Sequence, residues 1–397
     1  MRVLYIVTAY DRRPGDGITP WLVQTIDRLA ARGVEVEVLA PSYRGLASGR
    51  VNDVMVHRFR YAPARLEALT HDQTAADRVR ERPAYLALVP GFLAAAAAAA
   101  ARVSRDGDFD LVHVHWPLPM AIPGLAARRA AGIPMVCSFY GVELTVARSA
   151  PVPFLVPFLR HVIRSADAVT AISNYTAGLV KALYERPVEI IPFGATTPVP
   201  DAPPPLDPAP PLRLLFVGRL VERKGVHYLL DAVARARDRV QLAADIVGRG
   251  PEKSALEARA AELGVADIVT FHGHVSDDQL IRHYERADVF VLPAAFDEKG
   301  DVEGLGVVLI EAMAYGRPAI ASDAGGIPDI VRHGENGLLV PPGDAEALAA
   351  AIESLALDPA RVADLGRRGR EYVAERFGWP SVIGSLEALY ARLTRAR

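Results

Sequence analysis

Glu303 and Glu311 sit eight positions apart in VEGLGVVLIEAMA, Val302–Ala314, and bracket the glycine pair Gly304 and Gly306. An apolar run that follows glycines reads as a helix whose start presents bare backbone amides. Their partial positive charge suits a phosphate or a developing anionic oxygen. Glu311 falls two turns into that helix, where a carboxylate is costly to bury unless it accepts hydrogen bonds, and a pair of ribose hydroxyls would donate them. The bland alternative is a helix-start acid at Glu303 and a solvated Glu311. A second constellation, FVGRLVERKG, places Arg219 and Lys224 five residues apart in and just after a turn. Two cations beside a strand end form a clamp for a diphosphate. Taken alone, the pair reads equally well as ordinary surface charge.

A third constellation is the histidine pair of DLVHVHW, Asp110–Trp116. Strand alternation points His113 and His115 the same way, with His115 nearer the carboxyl end and His113 deeper in the sheet. A satisfied core histidine is the alternative for each. The G-x-G-x-x-G fingerprint of a dinucleotide site is missing: Gly218 is followed by RLVERKG, and Gly248-Arg249-Gly250 by PEKS. Asp108-Phe-Asp110 has the D-x-D spacing of a metal-binding loop but precedes a strand, so it reads as a loop and cap, and no metal is expected. One cysteine, Cys137, excludes an intrachain disulfide and a cysteine-cluster metal site, which fits a reducing cytoplasmic compartment.

These side chains need scaffolds. A chain of 397 residues, 51% hydrophobic and 23% charged, favours two globular domains. The net charge of −2 gives no support to a nucleic-acid coat, but it hides an asymmetry of +5 over residues 1–195 against −7 over 196–397. Apolar strand-like runs fall at Val3–Thr8, Val34–Ala40, Leu111–His115, Met135–Phe139, Ala168–Ile172 and Val188–Ile191. The second half repeats the grammar at Leu212–Val217, Leu242–Val247, Val269–His272, Val289–Leu292, Ala319–Ser322 and Gly337–Val340. Unalternated strands separated by helices mean parallel sheets buried on both faces, with ligands beyond the carboxyl ends of the strands. The expected fold class is α/β, with two doubly wound Rossmann-like domains facing across a cleft. Thr196–Pro211, with eight prolines in sixteen positions, reads as a stiff linker between domains at 1–195 and 212–376. A C-terminal helix over 377–397 has either domain open to it.

Three stretches raise the question of a membrane. The N-terminal run Val3–Tyr10 is too short for a secretory signal and reads as a first strand. Ala84–Ala101 carries no charge over eighteen positions, long enough to span, but it is mostly alanine and interrupted by Pro90-Gly91, so a buried packing helix is preferred. Arg58, Arg60, Arg65, Arg78, Arg80 and Arg82 would attract an anionic surface or a phosphorylated substrate, with a solvated helix face the preferred reading. PVPFLVPFLRHVIR, Pro151–Arg164, reads either as a membrane contact or as a buried helix lining the cleft.

Together, Glu303-x7-Glu311, the GRLVERKG turn, ASDAGGIPDIV at Ala321–Val331 and NGLLVPPGD at Asn336–Asp344 resemble family 4 of the retaining glycosyltransferases, also called glycosyl transferases group 1, with the two-domain GT-B fold. The second half matches almost throughout. The first half rests on the turn at Gly17, on DLVHVHW and on SADAVTAIS at Ser165–Ser173, where the sequence is similar to bacterial enzymes of exopolysaccharide and cell-surface glycan synthesis.

The resemblance implies roles. Arg219 and Lys224 would hold the diphosphate of a nucleotide sugar. Glu311 would bind the ribose, Glu303 the sugar hydroxyls, with Gly304, Leu305 and Gly306 supplying amides. His274 and Val275 in FHGHV would meet the base, His115 the donor sugar, and Gly17 the phosphates or the acceptor. Tyr140 and Glu143 in SFYGVE are acceptor-side candidates, and Tyr140 is a departure from the family, since relatives often carry histidine before that glycine. The resemblance implies hexosyl transfer with retained anomeric configuration, no cofactor beyond the nucleotide-diphosphate sugar as co-substrate, and UDP favoured over GDP on family breadth. The acceptor is a glycan, a lipid-linked saccharide or a small molecule, with peripheral contact to an anionic membrane as a separate expectation. A nucleotide-sugar 2-epimerase of the same architecture and a non-catalytic sugar- or membrane-binding module are the rivals.

Overall fold

The computed structural model describes residues 1–72, 75–149, 152–200, 204–298 and 300–395. Pro151 and part of the proline-rich segment, Asp201 to Pro203, lie outside the described residues. The chain divides into two units: unit 1 is Met1–Ile172, Thr176–Ile191 and Ile383–Arg397, and unit 2 is Ser173–Tyr175 and Pro192–Val382.

Unit 1 carries strands β1 (Arg2–Ile6), β2 (Glu35–Pro41), β3 (Gly49–Val51), β4 (Val54–Phe59), β5 (Leu111–His115), β6 (Met135–Phe139), β7 (Ala168–Ala171) and β8 (Glu189–Ile190). They form one sheet in the order β3-β4-β2-β1-β5-β6-β7-β8, parallel except for the β3–β4 pair. Tyr5, Ile6, Val112 and Val114 are fully buried, as a central parallel strand requires when helices cover both faces. The β3–β4 hairpin departs from the sequence expectation. Val54–Phe59 reads VMVHRF, whose polar alternation hides it among the uninterrupted apolar runs, and Asn52 and Asp53 at φ 50° and 59° make the tight turn. Arg58 and Arg60 therefore belong to a strand end and not to a helix face.

Helix Val89–Asp106 covers this sheet with one stripe, Phe92, Ala96, Ala100 and Val103. The expectation of a buried helix holds for that stripe only. Pro83–Asp106 is long and apolar enough to cross a membrane, and 22% of its most apolar window is buried. Helix Leu155–Ser165 buries Leu159, Val162 and Ile163 in the core of unit 1, with Phe154 at its start 67% exposed.

Unit 2 carries β9 (Leu212–Val217), β10 (Leu242–Val247), β11 (Val269–Gly273), β12 (Val289–Leu292), β13 (Ala319–Ser322) and β14 (Gly337–Val340). Their order is β11-β10-β9-β12-β13-β14, and every pairing is parallel. All six lie where the apolar runs place them. The described part of the proline-rich segment is held on unit 2 and differs from a free spacer. Tyr315 donates its hydroxyl to the Pro198 carbonyl, and Arg317 donates to that of Pro204 at 3.2 Å. The last helix, Trp379–Arg395, begins in unit 2 and runs into unit 1, where the Tyr390 hydroxyl meets that of Tyr5 at 2.7 Å.

Candidate functional site

In unit 2, β9 opens into Gly218-Arg219, a short turn of helix at Glu222–Lys224 and then helix Val226–Ala236. Gly225 makes that corner at φ 67°, and a Cβ there would lie 1.8 Å from the Pro293 carbonyl oxygen, so only glycine fits. The corner delivers Lys224, 8% exposed, to Glu303, with which it forms an ion pair. Arg223 Nη1 reaches the same carboxylate oxygen at 3.3 Å. Burial works to raise the Glu303 carboxyl, but the combined pull of Lys224 and Arg223 outweighs it and holds the carboxyl below its usual value. Arg219 is exposed and has no ion-pair partner among the described residues. The structure thus pairs Lys224 with Arg223 at Glu303, where the sequence pairs Lys224 with Arg219.

Glu303 leads into Gly304-Leu305-Gly306 and helix Val307–Ala314, whose first turn starts from Gly306 at φ 95°. The ASDAGGIPDIV motif fixes this loop. Gly326 N–H donates to the Glu303 carbonyl at 2.9 Å, and a Cβ on Gly325 or Gly326 would lie 2.1 Å from the carbonyl oxygen of Glu303 or Gly304. His274 is exposed and Val275 half-buried in the link from β11 to helix Asp277–Arg286, which Ser276 and Gln279 close with a capping box.

Glu311 is 4% exposed and is not a solvated helix acid. Its Oε1 accepts from Thr196 N–H at 3.1 Å, the Thr196 hydroxyl at 2.7 Å and Thr197 N–H at 3.0 Å, and its Oε2 accepts from the Tyr284 hydroxyl at 2.9 Å. Protein groups thus take up the carboxylate expected to bind a ribose. Four donors satisfy the buried charge, and burial together with Glu311 pushes the Tyr284 phenol well above its usual range.

In unit 1, the two histidines of β5 differ. His113 is hydrogen-bonded at both ring nitrogens, to Ser138 Oγ and to the Tyr390 hydroxyl, each at 2.6 Å, and burial pulls its pKa down to about 3. It is a neutral, fully satisfied core residue. His115 stacks on it at 4.2 Å and is likewise held neutral by burial. Its Nδ1 shares a 2.5 Å hydrogen bond with the Tyr140 hydroxyl, while Nε2 is buried without a partner. A buried imidazole nitrogen left open is costly and marks the atom available to a hydroxyl.

Glu143, 2% exposed, accepts from Tyr140 N–H at 2.8 Å through Oε1 and leaves Oε2 unpartnered. Burial raises its pKa to about 7. Folding therefore disfavours the ionised form, and stability present below pH 4.5 is lost as the pH climbs through 7. Glu143→Gln is expected to raise the thermal midpoint at pH 8, by up to about 3 kcal/mol of stability, and to leave it unchanged at pH 4. Melting curves of both proteins at the two pH values check this.

Gly17, at φ 68° ahead of helix Pro20–Ala30, has open space where a side chain would point. Arg58 is buried, donating to the Tyr10 and Asp11 carbonyls and to His71, and burial brings its pKa down to about 10. Arg60 pairs with the buried Glu67. Asp110 accepts from the Arg2 amide at 2.7 Å, which is the capping role expected of it.

A model of "Glycosyl transferases group 1" matches residues 204–372, and one of "Glycosyltransferase Family 4" matches residues 15–198. The GDP-mannose-dependent alpha-(1-6)-phosphatidylinositol monomannoside mannosyltransferase of Mycolicibacterium smegmatis is 33% identical over 357 residues, covering 85% of this chain and 91% of the relative. The chain belongs to glycosyltransferase family 4. This family 4 glycosyltransferase is also similar to the D-inositol 3-phosphate glycosyltransferase of Streptomyces scabiei, 30% identical over 98% of the chain and 90% of the relative. Among solved structures, the sucrose-phosphate synthase of Thermosynechococcus elongatus superposes at a TM-score of 0.75 with 25% identity and full coverage of both chains, which supports the GT-B fold.

Within each unit of the glycosyltransferase, the structure brings together Lys224, Glu303 and Gly304–Gly306 in one, and His115, Tyr140 and Glu143 in the other. Arg223, missed in the sequence reading, is the neighbour of Lys224 in VERKG, and its adjacency to the basic corner was the available signal. The grip of Thr196 and Thr197 on Glu311 had none, because it joins positions 115 and 114 residues apart.

Proposed function

We propose that this chain is a retaining hexosyltransferase acting on a nucleotide-diphosphate sugar. The observation that carries the reading is the cation pair Lys224 and Arg223 on an ionised Glu303 at the start of helix Val307–Ala314. The diphosphate is the leaving group, and its charge grows as the bond to the anomeric carbon breaks. Lys224, with Arg219 free to swing in, takes up that charge together with the amides of Gly304–Gly306. When Lys224 turns to the phosphate, Glu303 is released to accept hydrogen bonds from sugar hydroxyls. The acceptor hydroxyl attacks the anomeric carbon on the face the nucleotide leaves, and its proton passes to the departing phosphate oxygen. No strong side-chain base is then required.

The donor expected on family breadth is a UDP-hexose. The relatives' names favour GDP-mannose, and they favour an inositol-bearing acceptor that is phosphorylated or lipid-linked. Turnover of GDP-mannose and UDP-glucose, with and without phosphatidylinositol mannoside or inositol phosphate, tests the reading. Nucleotide diphosphate release that rises with acceptor, and an α-linked product from the α-configured donor, support it. A donor isomerised without acceptor points to the epimerase, and binding without turnover to the binding module; either outcome overturns transfer.

A cytoplasmic location with peripheral membrane contact completes the proposal, supported by the exposed apolar surface of Pro83–Asp106 and by Leu86, 61% exposed, near Arg80 and Arg82. Flotation with anionic liposomes is expected at low salt and lost at high salt, since exposed charges are screened beyond about 10 Å at 0.1 M salt. Absence of flotation at low salt removes this part of the proposal.

A further inference from the structure

We propose that Asp245, His272 and His283 form a binding site for a divalent transition-metal ion, of the zinc, cobalt or nickel class, on the edge of unit 2. The three side chains come from β10, β11 and helix Asp277–Arg286, and their ligand atoms lie within 4.8 Å of one another. His272 Nε2 is 2.5 Å from Asp245 Oδ1, and the rings of His272 and His283 are 4.4 Å apart, tilted by 59°. In a tetrahedral site with metal–ligand bonds of about 2.0–2.2 Å, neighbouring donors end up about 3.3 Å apart. The three donors, within 4.8 Å of one another, lie within about 1.5 Å of that spacing.

The backbone sets up the cluster. β11 is the edge strand, and its pairing with β10 shifts register between Ile246 and Val247, so His272 is the extra residue of a bulge. Such a bulge re-aims a side chain, here over Asp245 on the neighbouring strand. Two imidazoles and one carboxylate are the protein ligands of an open zinc site with a water in fourth place, and the nitrogen donors select against magnesium and calcium. His272 is exposed and the other two half-buried, so an ion has a path in. Arg282 and Arg286 flank His283 on its helix and oppose a cation, but both are exposed and screened. A bound ion would tie β11 to the helix that follows it, on both sides of Gly273–Ser276. The cluster shares no residue with the Glu303–Lys224 pair, and its test does not depend on the donor reading.

The test uses the full-length chain without a histidine tag, stripped by chelator. Equilibrium dialysis against zinc alone is expected to give one bound equivalent. Cobalt in its place should show the visible bands of a tetrahedral site. Zinc at 100 times its dissociation constant should raise the melting midpoint by about 5 °C. His283→Gln, Asp245→Asn and His272→Ala are each expected to weaken zinc by more than about 100-fold, beyond the cost of disturbing an outer-shell partner. His227→Ala should bind as the parent does. His283→Gln alters one half-buried helix position, so a folded protein remains to be measured even where His272→Ala fails to fold. No zinc retained at micromolar concentration, or an unchanged zinc stoichiometry and affinity in His283→Gln, overturns the site.

Discussion

Lys224→Ala is expected to lower kcat/KM for the sugar donor by about 10²- to 10³-fold, the cost of removing one preorganised group from a developing oxyanion. The same change also touches stability, because Lys224 is buried and paired with Glu303, and removing one member of a buried pair strands the other. Arg223 remains on the carboxylate at 3.3 Å and limits the damage. The two effects separate in the double variant Lys224→Ala with Glu303→Gln. There the stranded charge is gone, so the melting midpoint recovers towards the parent, while donor turnover stays lost. Lys224→Ala with parental kcat/KM would show that the cation serves only to neutralise Glu303. Arg219→Ala is a sensitive companion: Arg219 has no ion-pair partner among the described residues, so a loss of donor affinity without a change in melting assigns it to the ligand.

Legibility followed the range over which each feature is written. The strands of unit 2 are four to six residues long and dominated by apolar residues, with Arg213, Asp245, Thr270 and His272 as interruptions, and each falls where the pattern placed it. The glycines of ASDAGGIPDIV were legible as a motif, but their work was not. Gly325 and Gly326 exist because the loop after Glu303 lies within van der Waals reach of their Cα atoms, a contact between segments more than twenty residues apart. The β3–β4 hairpin was missed because its strand mixes polar residues with apolar ones and its turn is Asn-Asp without glycine. His113 and His115 show the same limit at the level of single side chains. Their spacing gives a shared face, yet only the positions of Ser138, Tyr390 and Tyr140 make one a closed core residue and leave the other with an open nitrogen.

Glu311 carries the other large expected effect, and the structure adds a loss of stability to it. From the motif alone, Glu311→Ala would weaken donor binding and spare the fold. With the carboxylate buried and accepting from Thr196, Thr197 and Tyr284, its removal takes away the acceptor of four hydrogen bonds. Each buried unsatisfied group costs about 1–3 kcal/mol, and water entering the vacated space recovers part of that, so a loss of about 3–5 kcal/mol is expected. Tyr284→Phe removes one donor and should cost about 1–2 kcal/mol, and Thr196→Val a similar amount with both backbone amides still satisfied. Denaturant midpoints at constant m-value measure all three. A ribose can reach Glu311 only if the segment that begins at Thr196 gives up its bonds, so a bound nucleotide should increase amide exchange at Thr196 and Thr197. Unchanged unfolding in Glu311→Ala, joined to a loss of nucleotide affinity beyond about 100-fold, would mean that the carboxylate belongs to the ligand and that Thr196 and Thr197 only occupy it in the absence of one.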